Sequence, residues 1–147
     1  MVINNMSTST NELFDMLNWN NDIEIQKKGI EEAKKVKYIS VFFQPVESKE
    51  VWENCARVIA AKKDEELARH LTKLFEWLQD MNWPGAETIF DRILAMSPEF
   101  ICHAFSYSLK KAIQTDDDSW KESLRTFAKA KNLGLLLPED QQDFLNQ

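Results

Sequence analysis

Cys102 and His103 stand side by side, and a thiolate activated by an imidazole is the first chemistry such neighbours suggest. Adjacent positions on a helix point about 100° apart, so these two side chains do not reach each other and both read as structural. His70 lies among polar neighbours beside Leu71, with no second His or carboxylate at ligand spacing, and is expected at the surface. Asp116-Asp117-Asp118 has the acidity of a calcium loop but lacks the Gly and the downstream Glu of an EF-hand, which leaves helix capping as its role. These residues predict no metal site, no cofactor and no catalytic set.

Paired carboxylates do acid–base work when a cleft encloses them. Glu87 and Asp91 are four residues apart and so share one face of a helix, close to Trp83. On a solvated helix such a pair is ordinary, and its acidic, aromatic-flanked surface suits a basic protein partner better than catalysis. Trp83, Glu87 and Asp91 are therefore the expected partner-binding residues. Trp77, Asp80, Asn82 and Pro84 are assigned to a structural corner. The Trp77 indole is expected to find a carbonyl or a carboxylate such as Asp80, Asp80 and Asn82 to bond backbone groups freed at two helix ends, and Pro84 to open the next helix.

The elements that hold these residues are helical. Three Gly and four Pro in 147 residues leave too little turn chemistry for an all-β fold, while 44% hydrophobic residues, with five Trp and nine Phe, supply a core. A net charge of −6 opposes binding to a phosphate backbone, and no apolar run has the length of a membrane span. Cys55 and Cys102 lie in helical patterns without metal spacing, and no signal peptide is recognised, so reduced thiols in a cytoplasmic protein are expected.

Residues 1–9 carry no hydrophobic period and are expected to be disordered; 10–147 are expected to form one helical-repeat domain. Leu13 to Leu17 make a short helix ending at Asn18-Trp19-Asn20-Asn21. Asn21 with Glu24 fits a capping box for a second helix running to about Lys37. Ser48 caps a helix to Lys62, and Asp64 caps the strongest stripe, Leu67, Leu71, Leu74, Phe75 and Leu78. After the Trp77–Pro84 corner come a helix through Leu94, a second launched by Ser97-Pro98, and a third capped by Asp116–Asp118 that stops at Gly134. A short helix follows Pro138.

Leu13-Phe14-Asp15-x-Leu17 followed by Asn18-Trp19 echoes Leu74-Phe75-Glu76-x-Leu78 followed by Asn82-Trp83. The interval fits two helix pairs of roughly 30 residues each. That interval predicts a short distorted helix or turn, in preference to a strand, for the ambiguous run Tyr38 to Phe43. The fold expected is all-α, a right-handed HEAT-like α-α superhelix of about four antiparallel helix pairs.

Trp52-Glu53-Asn54-Cys55-Ala56, Glu76 to Ala86 and Asp116-Asp117-Asp118-x-Trp120-Lys121 resemble a family of small bacterial proteins of unknown function, common in Firmicutes and built from HEAT-like helices, whose hallmark is Trp77-Leu78-Gln79-Asp80-Met81-Asn82-Trp83-Pro84. The resemblance implies an all-helical bacterial cytoplasmic protein, with no established activity and no catalytic residues to transfer. The expectation is a non-enzymatic protein-binding module with a basic protein partner, in its narrowest form a toxin-neutralising immunity protein. The rival is a HEAT-like nucleic-acid-processing enzyme such as a DNA glycosylase, which needs a basic concave face. A homodimer through Tyr38 to Phe43 is a third expectation.

Overall fold

The computed structural model describes residues 9–46 and 48–147. The expected disordered end lies outside these apart from Ser9, whose hydroxyl accepts from the Glu12 amide at 3.2 Å and caps the first helix. The described residues form α-helices and no strand: α1 (Thr10–Leu17), α2 (Ile23–Ala33), α3 (Trp52–Ala60), α4 (Asp64–Ala68), α5 (Leu71–Glu76), α6 (Ala86–Leu94), α7 (Pro98–Gln114), α8 (Asp118–Lys131) and α9 (Glu139–Leu145). The fold is all-α. Among the described residues no helix is long and apolar enough to cross a membrane.

The run Tyr38–Phe43 makes a 3-10 turn over Ile39–Phe42 that buries Ile39 and Phe42 and leaves Tyr38 and Val41 exposed. The run is thus the short distorted helical turn expected in preference to a strand, with its buried residues three apart, as a 3-10 turn spaces them.

α1 and α2 form a hairpin, after which α2 packs on α3, α3 on α6 and α6 on α8 in one row. Alongside that row the Ile39–Phe42 turn packs on α3, α5 on α7 and α7 on α8. Three long cations tie successive members of the first row together. Lys62 Nζ donates to the Lys34 carbonyl at the end of α2 (2.7 Å), and Arg92 donates to the carbonyls of Ala60 (3.0 Å) and Lys62 (2.7 Å) at the end of α3. Lys131 Nζ repeats the device on Leu94 at the end of α6 (2.8 Å). A helix C-terminus leaves carbonyls unpaired and carries partial negative charge, so a cation from the neighbouring element satisfies both.

Beneath the row lies a continuous apolar core from Leu13 to Leu145. Its centre is a phenylalanine cluster in which Phe127 meets Phe75 and Phe90, each at 5.3 Å between ring centroids. Trp120 spans to it by donating its indole N–H to the Phe75 carbonyl at 3.0 Å, which satisfies a buried donor.

Several helix ends differ from expectation, each for a local reason. α2 ends at Ala33 and is N-capped by Asp22 without a side-chain bond, because the Asn21 amide turns back to the carbonyls of Asn18 (3.2 Å) and Met16 (3.4 Å) at the end of α1. Asp64 is the first residue of α4 and not its cap; its carboxylate is taken by Arg92 at 2.6 Å. The long Leu67–Leu78 stripe is interrupted at Arg69–His70, yet Leu67, Leu71, Leu74, Phe75 and Leu78 all stay buried. α8 stops at Asn132, left-handed at φ 58°, two residues before Gly134. Asn is the side-chain-bearing residue that most readily adopts this conformation at a helix end.

Candidate functional site

The corner between α5 and α6 is assembled by three devices. The last turn of α5 tightens into a 3-10 turn at Trp77–Gln79, which buries Trp77 completely and lets its indole N–H donate to the Pro84 carbonyl at 2.9 Å. Asp80 then accepts from the Asn82 amide at 2.8 Å, a local Asx turn; of the two partners expected for the Trp77 indole, a carbonyl or a carboxylate such as Asp80, it takes a carbonyl, that of Pro84. Pro84, expected at the first helical position, lies two residues ahead of it: α6 begins at Ala86 with Gly85 as its N-cap. Gly85 takes φ 85°, and a Cβ there would lie 2.8 Å from the Ala56 Cβ and from the Trp52 carbonyl oxygen. Only glycine fits both the left-handed backbone and the close approach to α3.

α3 also grips the corner electrostatically. One oxygen of Glu53 accepts from the Gly85 amide (3.2 Å) and the other from the Thr88 hydroxyl (2.7 Å). This carboxylate sits at the N-terminal end of α6, where free amides and the helix dipole favour negative charge. Sequence reading missed Glu53 because its partners lie more than thirty residues away, beyond the reach of any local pattern.

Beyond the corner a groove of about 550 Å³ opens between the Asp80–Asn82 turn, α6 and α8. Four carboxylates line it: Asp80, Glu87, Asp91 and Glu122. Met81 and Phe90 supply apolar surface, and among the described residues that line it none is Lys or Arg. Two of its hydroxyls are committed to their own helix, Ser123 donating to the Ser119 carbonyl (3.0 Å) and Thr126 to the Glu122 carbonyl (3.1 Å). Glu122, itself exposed, also meets the largely covered Arg125 at 3.1 Å in an i,i+3 pair. The arrangement offers negative charge over an apolar floor, a chemistry of binding cations carried on aliphatic stems.

The structure thus brings Glu87 and Asp91 together with Asp80 and Asn82, and both of these carboxylates, expected to meet a partner, are exposed. Trp83 is separated from them. It is half-buried, and its ring packs edge-on against Trp52 of α3 with centroids 5.7 Å apart. Glu122, Ser119 and Thr126 on α8 were not expected at the site. The apolar stripe of α8 fixes which face turns inward, but which helix its flank meets is decided only by tertiary packing.

The other chemistry-bearing residues lie elsewhere. Cys55 is fully buried and its thiol is pushed up to about 12 by burial, a range in which it is not a nucleophile. Cys102 is half-buried and raised by burial and by Glu99. His70 is half-buried, edge-on to Phe43 at 5.2 Å, and its imidazole is held below the ordinary value by burial and then by Arg69. Asp117 caps α8 by accepting from the Trp120 amide at 3.0 Å, as expected for the acidic turn. Lys121 meets Asp116 at 2.6 Å and Asp118 at 3.1 Å. Among the described residues no group of three or more His, Cys, Asp or Glu is placed to hold a metal ion.

Comparison with curated proteins and with solved structures yields no match. Residues 49–133, which include the Trp77–Pro84 corner, the acidic groove and all of α3 to α8, match the model of a domain of unknown function, DUF5071. That match spans more than half of the chain, and the protein belongs to the DUF5071 family.

Proposed function

We propose that this chain is a non-enzymatic protein-binding module whose acidic groove receives a basic segment of a partner protein. The observation that carries the reading is the convergence of Asp80, Glu87, Asp91 and Glu122 on one groove floored by Phe90 and Met81, with no cation among its described lining residues. A Lys or Arg side chain fits such a surface at both ends, its stem on the apolar floor and its charge among the carboxylates.

The scaffold reading that accompanies it is a HEAT-like superhelix. Its support is the row α2, α3, α6, α8 and the repeated closure of each preceding helix end by Lys62, Arg92 and Lys131. The narrowest form of the proposal is a toxin-neutralising immunity protein in a bacterial cytoplasm. The acidic groove complements a basic toxin, and the free thiols of Cys55 and Cys102 suit a reducing compartment. The nucleic-acid enzyme needs a basic face, and the groove's charge opposes a phosphate backbone.

Reversing charge at Glu87 and Asp91 together tests the reading, because both side chains are exposed and neither is in the core. The double variant Glu87→Lys, Asp91→Lys is expected to keep its melting temperature and to lose a partner captured by the unaltered protein from lysate of its source. Retention of that partner by the double variant, or tight salt-sensitive binding of the unaltered protein to DNA, would contradict it.

A further inference from the structure

Trp52, Trp77 and Trp83 converge where α3 meets the second corner. The Trp52 ring stands at 88° to Trp83, centroids 5.7 Å apart, and at 74° to Trp77 behind it, 6.0 Å apart. Each inner ring is pinned by its own hydrogen bond, Trp52 to the Pro45 carbonyl at 2.7 Å and Trp77 to the Pro84 carbonyl at 2.9 Å. Trp83 is half-buried and Trp52 only 8% exposed, so the two rings meet at right angles with Trp52 as the inner wall of the angle, reached from solvent only past Lys49.

A cation already occupies the angle. The ammonium of Lys49 lies 5.6 Å from the Trp52 ring and 5.9 Å from the Trp83 ring, at the outer limit of cation–π contact with both. Lys49 is exposed and reaches the angle on a flexible stem, so the occupant is displaceable. A compact, strongly hydrated ammonium is also a poor match for two wide apolar ring faces. A group that spreads its charge over methyls gives up less hydration and touches both faces at once.

We propose that the Trp52–Trp83 corner is a binding site for a quaternary trimethylammonium group, which displaces the Lys49 ammonium that fills it in the free protein. The site is separate from the acidic groove, to which Trp52 and Trp83 contribute nothing, and stands or falls independently of the groove reading. Arginine and unmodified lysine are weaker occupants of the same angle.

The test follows the tryptophan indole resonances of the full chain by NMR while choline chloride, or its neutral isostere 3,3-dimethyl-1-butanol, is added. Choline is expected to shift Trp52 and Trp83 saturably, the isostere to bind about fivefold more weakly, and Lys49→Ala to tighten choline binding about fivefold by removing the internal competitor. Trp83→Leu is expected to abolish the shifts. Because Trp83 also packs against Trp52, the exposed Lys49→Ala change carries the test if Trp83→Leu unfolds. A trimethyl-lysine peptide run beside choline identifies the source: tighter binding of the peptide assigns a protein ligand, tighter binding of choline a small molecule. Equal binding of choline and the isostere to the Lys49→Ala protein overturns the proposal. So do an absence of saturable shifts in that variant and shifts centred on Trp19.

Discussion

The two corners of this chain share a sequence echo and are held by opposite means. At the first, between α1 and α2, Trp19 is 45% exposed and packs on little, and the turn is secured by amide side chains. Gln26 donates to the carbonyls of Asn21 (2.7 Å) and Trp19 (3.1 Å), while the buried Asn54 of α3 donates to Leu17 (2.8 Å) and to Gln26 (2.9 Å). At the second, between α5 and α6, indoles pack on one another and a carboxylate, Glu53, holds the start of α6. Adjacent residues of α3 thus serve the two corners, Asn54 the first and Glu53 the second. The difference shows that the echo marks where the chain turns and carries no information on how the turn is held. Of the two corners only the second borders the acidic groove and lies within the matched span 49–133.

The sharpest way to break the comparison is at the glycines. Gly85→Ala places a Cβ into the backbone carbonyl of Trp52 at 2.8 Å in a left-handed conformation, and is expected to cost on the order of 3 kcal/mol in denaturant unfolding. At the first corner, Asn54→Ala leaves the Leu17 carbonyl and the Gln26 side chain without their buried donor. Its expected cost is about 2 kcal/mol by the same measurement, with the second corner unaltered. Gly29→Ala in α2 meets the Met16 Cβ at the same 2.8 Å, yet its backbone is helical and the change gains helix propensity. A net loss of about 1 kcal/mol is expected, set by how far α1 shifts. Trp19→Ala is expected to change stability by less than about 0.5 kcal/mol, as for other exposed positions.

The smallest effect is a pH dependence. Burial and Arg69 hold the His70 imidazole below the ordinary 6.5, so as pH falls the unfolded chain takes up its proton first. Stability is therefore expected to fall as pH drops through 6.5 and below, and His70→Gln to flatten that limb of a melting-temperature profile.

Much of the helical frame was legible because it depends on local rules. The Asp117 cap, the Ser97-Pro98 start of α7 and the helical stripes lie where period and capping chemistry place them, and Ser48 caps a 3-10 turn, Lys49–Val51, that leads into α3. The ends that differ are those where a distant residue competes for the same group. Arg92, twenty-eight positions on, takes the Asp64 carboxylate that was expected to cap α4, and α3 packs so close to the second corner that a left-handed Gly85 caps α6 and Pro84 stays outside the helix. Site residues divide in the same way. Glu87 and Asp91 share a helix and were visible as a pair, whereas Glu122 joins them only through the packing of α6 on α8. Trp83 was grouped with the carboxylates by proximity in sequence, but Trp52 draws it to the other side of the corner.

The central claim is that recognition belongs to the second corner and its groove. Backbone amide NMR of the full chain, titrated with a lysine- and arginine-rich peptide at low salt, tests it most directly. Saturable, salt-sensitive shifts confined to Asp80–Asn82, Glu87–Asp91 and Ser119–Thr126 are expected, with Asn18–Asp22 silent. Shifts centred on Asn18–Asp22, or spread evenly over the acidic surface, would contradict it.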